Sequence, residues 1–310
     1  MRNAMTISQR IRRWSSIAAV AVCATAGVAE AQAPEGALDG TLLKAKTSGE
    51  VAVGYRDASI PLSYLSASKE PVGYSIDLCR AIVDAMSTEV SRDLIIKWVP
   101  VTSDTRFNAV IGGQVDLECG STTSNVERKK VVDFSPVIFV AGTKLMVKKG
   151  SPIKSYRDLA GRSVVVTTGT TNEKTIRDLV ARFNLKTTIL TGADHADSYA
   201  QLVQGKADAF ATDDVLLYGF IALNRAQDQL MVVGEFLSYE PYGIMFRKND
   251  PQLAKLVAAT LHDLAALREL EQTYNKWFMR QLPNGQRLNL PMSAQLAEMI
   301  RIMGDDATTQ

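Results

Sequence analysis

An internal repeat constrains this chain more than any other feature. Displacing the sequence by 92 residues lays Ser103 on His195, Phe107 on Tyr199, Val110 on Leu202, Gly113 on Gly205, Asp116 on Asp208 and Ser121 on Asp213. Each copy reads as a turn, an amphipathic helix, a Gly-x-small-Asp step, a strand and a loop. Apolar runs of strand length also occur at 51–55, 94–101 and 187–190, with the copies' own neighbourhoods contributing 115–118 and 163–168. Helical spacing places Leu78, Ile82 and Met86 on a helix opened by Asp77. It does the same for Phe107, Val110 and Ile111 ahead of Gly112-Gly113, and for Ile176, Leu179, Val180 and Phe183 within 171–183. Strands alternating with helices predict an α/β fold with largely parallel pairing, and the duplication divides it into two similar lobes.

Two extended apolar stretches, 138–147 and 237–246, each carry a glycine near the middle and suit crossings between the lobes. This places residues 34–140 and 245–310 in lobe 1 and 141–244 in lobe 2, with crossings near 140–144 and 240–245. The chain then finishes lobe 1 with helices over 251–270 and 293–303, the first opened by Asp250-Pro251. A chain that crosses twice makes a hinge, and the cleft it frames is a favoured ligand site.

Composition removes several functions. The 310 residues, 46% hydrophobic, supply cores for both lobes, while 35 Lys and Arg against 33 Asp and Glu are too balanced for a protein that coats nucleic acid. The histidines are His195 and His262 and the cysteines Cys23, Cys79 and Cys119, none in a zinc-ligand spacing, so no metal site is expected. Phosphate-loop, dinucleotide and nucleophile-elbow signatures do not occur, so no cofactor is expected either.

The first residues carry an address. Arg2, Arg10, Arg12 and Arg13 precede an apolar run over 17–28 that is short of the roughly 20 residues a membrane span needs, and small residues favour cleavage after Ala31 or Ala33. Residues 1–31 are read as a signal peptide for export to the periplasm. Its loss removes those four arginines and Glu30, leaving 31 basic against 32 acidic residues. Cys79 and Cys119 then remain in an oxidising compartment and pair as one disulfide, the alternative being two buried free thiols.

Polar residues cluster where strands end, the position at which open α/β sheets bind ligands. Gly120-Ser121-Thr122-Thr123 leads to Arg128, read as hydroxyls and N–H groups at a helix start with a guanidinium one turn inward. Gly169-Thr170-Thr171 repeats the arrangement before the 171–183 helix. Arg56 follows the first strand, Ser103 and Arg106 the second, and His195 and Asp213 hold the matching ends of the second copy. Each taken alone is as readily a cap or a surface residue. Together, three arginines and a histidine facing one aspartate describe a ligand with two negative groups and one positive group, an acidic amino acid.

These residues resemble the periplasmic polar-amino-acid-binding proteins of ABC importers, and within them the glutamate/aspartate-binding subgroup. The likeness runs from Val53-Gly54-Tyr55-Arg56 and Gly73-Tyr74-Ser75-Ile76-Asp77-Leu78 through Asp116-Leu117-Glu118-Cys119-Gly120-Ser121-Thr122-Thr123 and Asn125-Val126-Glu127-Arg128. It continues in Gly169-Thr170-Thr171, Asp194-His195, Asp213-Asp214 and Lys276-Trp277-Phe278. The resemblance implies a type II two-lobed fold, each lobe a mixed sheet flanked by helices, joined by a two-strand hinge. It implies that Arg128, with Thr123, Thr170 and Thr171, grips a ligand α-carboxylate, that Asp213 with Ser121 meets the α-ammonium, and that Arg56, Ser103, Arg106 and His195 meet the side-chain carboxylate. The partners implied are L-glutamate or L-aspartate and a membrane permease, the protein acting as a monomer. Some relatives pair the cysteine of the Glu-Cys-Gly run with one in a later Tyr-Gly-x-Met stretch; here that position is Ile244. The alternatives are a bilobal dehydratase acting on a carboxylic acid and an extracytoplasmic amino-acid sensor module.

Overall fold

The computed structural model describes residues 37–307. The signal peptide read over 1–31, both cleavage points and Cys23 lie outside them. Two five-stranded sheets repeat one plan. In the first, β1 (Glu50–Tyr55) runs parallel between β5 (Ile95–Pro100) and β6 (Leu117–Glu118); β15 (Met245–Arg247) is antiparallel to β6, and β7 (Val132–Phe134) antiparallel to β15. In the second, β10 (Ser163–Thr167) runs parallel between β11 (Thr188–Gly192) and β12 (Ala209–Asp213), with β9 (Thr143–Lys148) antiparallel to β12 and β13 (Leu230–Val233) antiparallel to β9. The pairing is therefore mixed where the spacing of elements predicts largely parallel sheets. The strand beside each central trio returns from the opposite end of the chain segment, which only the tertiary path determines. Val164, Val165 and Val166 of β10 are fully buried, as β-branched residues are in a strand covered on both faces.

The repeated aspartate has a structural cause. Asp116 donates its N–H to the Ala52 carbonyl at 2.7 Å and accepts the Ala52 N–H on its carboxylate at 3.0 Å; Asp208 does the same with Ser163, at 3.0 and 2.8 Å. Each carboxylate splices the incoming strand onto the middle strand of its parallel trio, β1 or β10. The step just before it needs glycine, since Gly113 and Gly205 hold φ of 71° and 75°, in the left-handed region.

Helices cover both sheets: α1 (Gly40–Ser48), α2 (Tyr74–Glu89), α3 (Arg106–Ile111), α4 (Thr171–Arg182), α5 (His195–Val203), α6 (Asp214–Leu223), α7 (Pro251–Ala266), α8 (Glu269–Tyr274) and α9 (Ala294–Ala307). The face Leu78, Ile82 and Met86 of α2 is buried to 2% exposure or less, worth about 1.5–3 kcal/mol per side chain. The helix starts at Tyr74, three residues before Asp77, where the Tyr74 and Ser75 N–H groups donate to the Pro61 and Leu62 carbonyls; the Asp77 carboxylate does not cap but accepts from Lys276 Nζ and Trp277 Nε1, both at 2.6 Å. The helix expected over 251–270 breaks at Arg268, whose φ of 60° separates α7 from α8. A small antiparallel sheet of β2 (Ala58–Ser59), β3 (Ser63–Leu65) and β4 (Pro71–Val72) completes the first lobe's rim.

Cys79 of α2 and Cys119, just after β6, form a disulfide. The chain passes between the sheets twice, through β8 (Phe139–Ala141) and β14 (Glu240–Tyr242), which pair antiparallel with Glu240 opposite Ala141. Tyr242 stacks on Phe139 with ring centroids 5.8 Å apart. Among the described residues, no helix is long and apolar enough to cross a membrane.

Candidate functional site

The carboxyl ends of both parallel trios and the starts of four helices converge on one cleft, each contributing the residue that follows a strand. β1 delivers Arg56, the turn after β5 delivers Ser103 and Arg106, β6 leads to Ser121 and Thr123, β10 to Thr170 and Thr171, β11 to His195, and β12 ends at Asp213. Arg56, Ser103, Arg106, His195 and Asp213 are each no more than 3% exposed. Such burial of charge is expensive unless partners are supplied.

On the first lobe, Arg56 Nη2 donates to Ser103 Oγ at 2.6 Å, and Arg106 Nη1 donates to Thr122 Oγ1 at 2.7 Å. Thr122 passes the polarity on, donating to Glu118 Oε2 at 2.6 Å. Nε and Nη1 of Arg56, Nε of Arg106 and Oε1 of Glu118 are buried and make no hydrogen bond. Burial, then the neighbouring Arg106 charge, pulls Arg56 down to about 10; burial also lowers Arg106, against the pull of Glu118. Two adjacent guanidiniums with uncommitted donors make a seat for a carboxylate. Gly120 makes room for them, since a Cβ there would lie 2.3 Å from Glu118 Oε1 and 2.9 Å from Arg56 Cγ.

Arg128 heads only a three-residue 3₁₀ turn, Arg128–Lys130. The helix start expected around 121–128 is not formed. That segment is held instead as an irregular loop, by Ser124 N–H on the Pro241 carbonyl and Thr123 bridged to Tyr242. Arg128 Nη1 donates to the Thr123 carbonyl at 2.9 Å, Nη2 reaches the Gly169 carbonyl of the other lobe at 3.5 Å, and the guanidinium lies 5.0 Å from the Phe107 ring centroid. Burial, then Arg106, brings its pKa down to about 9. A true helix start exists at α4. There Thr170 is the N-cap, accepting from Glu173 N–H at 3.1 Å and donating to the Thr167 carbonyl at 2.6 Å, so its hydroxyl is committed to the backbone.

On the second lobe, His195 opens α5 with Nδ1 2.9 Å from Thr167 Oγ1. Burial, reinforced by Arg56 and Arg106, lowers its pKa well below 6.5, so the ring is neutral at pH 7. It faces Arg56 across a cavity of about 70 Å³ that Asp57 and Asp194 also line. Asp213 accepts from Asn172 Nδ2 at 2.7 Å and from the Tyr242 hydroxyl, and burial followed by the Glu240 charge raises its pKa to about 7. Ser121 donates to Ser59 Oγ at 3.3 Å and makes no direct bond to Asp213.

The lobes meet at Thr123 and Thr171, whose hydroxyl oxygens are 3.4 Å apart. Both donate to Glu240 Oε2, at 2.6 and 2.7 Å. Glu118, Thr122, Asn172, Glu240 and Tyr242 join the hydrogen-bond network of these candidates, and sequence reasoning does not single them out. The single acid inside the apolar run 237–246 is the signal for Glu240, whereas Glu118 shares the run 115–118 with Asp116 and is not set apart by it. Among the described residues, no group of three acidic, histidine or cysteine side chains is placed to hold a metal.

A family model described as bacterial extracellular solute-binding proteins, family 3, matches residues 51–280. The L-glutamate/L-aspartate-binding protein of Pseudomonas aeruginosa is 43% identical over 276 residues, covering 88% of this chain and 91% of that protein. The glutamate/aspartate import solute-binding protein of Escherichia coli is 38% identical over 297 residues, covering 95% and 98%. Among solved structures, an ancestral amino-acid-binding protein described as a precursor of cyclohexadienyl dehydratase is 30% identical. It superposes with a TM-score of 0.67 over 77% of this chain and 99% of that one.

Proposed function

The chain belongs to the bacterial extracellular solute-binding proteins of family 3, and from that premise we propose that it captures L-glutamate or L-aspartate between its lobes and delivers it to the permease of an ABC importer. The observation that carries the choice of ligand is the buried pair Arg56 and Arg106, with three uncommitted guanidinium nitrogens beside a neutral His195. Two cations and an imidazole surround a side-chain carboxylate, with Ser103 fixing Arg56. Arg128, Thr123 and Thr171, with the first turn of α4 behind Thr170, receive the α-carboxylate; Asp213 of one lobe and Ser121 of the other receive the α-ammonium. The relatives named above are solute-binding proteins, and this chain is a binding protein rather than an enzyme.

Capture proceeds by closure. Residues 34–140 and 245–310 move as lobe 1 and 141–244 as lobe 2, with β8 and β14 as the hinge. The ligand docks on Arg56, Arg106 and Arg128 of lobe 1, and closure adds Thr171, His195 and Asp213. Only the closed state makes both sets of contacts, so the ligand shifts the population toward it. Residues 1–31 export the chain to the periplasm, where it works as a monomer. A thermal-shift screen of the twenty amino acids tests the reading. At 1,000 times Kd a ligand adds about 4 kcal/mol, so glutamate or aspartate should raise the melting temperature by several degrees. A screen in which neither acid moves the transition refutes it.

A further inference from the structure

Glu240 opens β14, at the second crossing, and is 2% exposed. A single oxygen of its carboxylate, Oε2, accepts both the Thr123 hydroxyl of one lobe and the Thr171 hydroxyl of the other. One buried carboxylate oxygen thus fastens the two lobes to each other through the strand that joins them. A threonine hydroxyl has one proton to give. While both protons point at Glu240, a second carboxylate brought to these side chains meets only lone pairs. The charge of Glu240 also reaches Arg128, whose cationic form it supports, and Asp213, whose anionic form it opposes. In its partners and its field, Glu240 does for the closed cleft what an amino acid's α-carboxylate would do.

Resting on the reading that Thr123, Thr171 and Arg128 seat that α-carboxylate, we propose that Glu240 is an internal stand-in for it, latching the lobes together without ligand and giving up the two hydroxyls when an amino acid binds. Charge-assisted hydrogen bonds are about twice as strong as neutral ones, so the latch competes on equal chemical terms with the ligand. Affinity is then set by exchange of one carboxylate for another, and part of the unliganded population is closed. Glu240 pairs with Ala141 where the two crossing strands run side by side, and from there one side chain reaches a threonine of each lobe.

The test combines small-angle X-ray scattering of ligand-stripped protein with calorimetric titration of glutamate. Glu240→Gln keeps the shape and an acceptor oxygen but loses the charge. Unliganded Glu240→Gln should have a larger radius of gyration than unliganded wild type, and its Kd for glutamate should fall about tenfold, equivalent to about 1.4 kcal/mol. Thr171→Val, which breaks the same latch from the second lobe, should open the unliganded wild type and add nothing in the Glu240→Gln background. A purely structural glutamate would share that coupling but would not bind glutamate more tightly once its charge is removed. Equal unliganded radii overturn the latch, and a weaker Kd in Glu240→Gln overturns the competition, since Glu240 would then support the bound state. The scattering comparison needs no ligand, whereas failure of wild type to bind either acid would refute the proposed function instead.

Discussion

Replacing Arg106 by methionine separates a side-chain carboxylate seat from general support of the cleft. The guanidinium is fully buried, donates to Thr122 at 2.7 Å and has Nε uncommitted beside Arg56. A carboxylate about 4 Å from such a cation, at an effective dielectric of about 20, gains about 4 kcal/mol. Removing one partner of a buried charge set costs about 3–5 kcal/mol by comparison. Both routes give at least a 100-fold weaker Kd for glutamate and aspartate. Glutamine offers only a neutral oxygen, whose lost hydrogen bond is worth about 1 kcal/mol, or roughly fivefold. The ratio of acid to amide affinity should therefore fall at least 20-fold in parallel calorimetric titrations. Methionine also leaves Glu118 with less compensation, so the titration is repeated with Arg106→Met combined with Glu118→Gln, which should recover thermal stability but not selectivity. Equal losses for glutamate and glutamine would refute the assignment of Arg106 to the ligand side chain.

Burial, then Glu240, raises the Asp213 carboxyl from 3.8 to about 7, so below that pH it holds a proton in the unliganded protein. An ammonium placed beside it favours the anion, so binding should release up to one proton near pH 6–7 and tighten as pH rises to 7; heats that do not vary with buffer ionisation enthalpy, or that vary equally in Asp213→Asn, contradict this. For folding the same raised carboxyl acts in the opposite sense, its stabilisation being full below about pH 4 and lost as pH rises through 7. Gly169 has φ of 76°, and a Cβ there would lie 2.9 Å from the Ser103 carbonyl oxygen across the cleft. Gly169→Ala should therefore weaken every amino-acid ligand at least tenfold and keep the liganded protein expanded in scattering, beyond a backbone cost of about 1–2 kcal/mol; unchanged affinity would show that the lobes close without this contact. The Cys79–Cys119 bridge closes a separation of 40 residues. Replacing both cysteines by serine should lower unfolding free energy by about 4 kcal/mol in denaturant titration, and a loss under 1 kcal/mol would rule out the chain-entropy account of its contribution.

The sequence disclosed the duplicated plan because repetition is local: turn, helix, glycine, aspartate and strand recur with one spacing, and Asp116 and Asp208 turn out to make the same splice. Strand ends likewise pointed to Arg56, Arg106, His195 and Asp213, since parallel strands gather their carboxyl ends without any need to know side-chain packing. The fourth strand of each sheet was not legible, because β15 and β9 reach their partners only through the crossings. Arg128 was misread as lying on a helix: hydroxyls ahead of a charged run look like a cap, and the contacts that hold the segment as a loop come from residues 241 and 242. Glu240 escaped for the same reason. Its partners lie 117 and 69 residues away, and its neighbours Tyr239 and Pro241 say nothing of two threonines.

Calorimetric titration of the refolded, ligand-stripped protein lacking residues 1–31 with glutamate, aspartate, glutamine and asparagine tests the central claim most directly. Paired buried guanidiniums predict one site per chain, with micromolar or tighter Kd for at least one acid and at least 100-fold weaker binding of its amide. Millimolar or absent binding of both acids would contradict it.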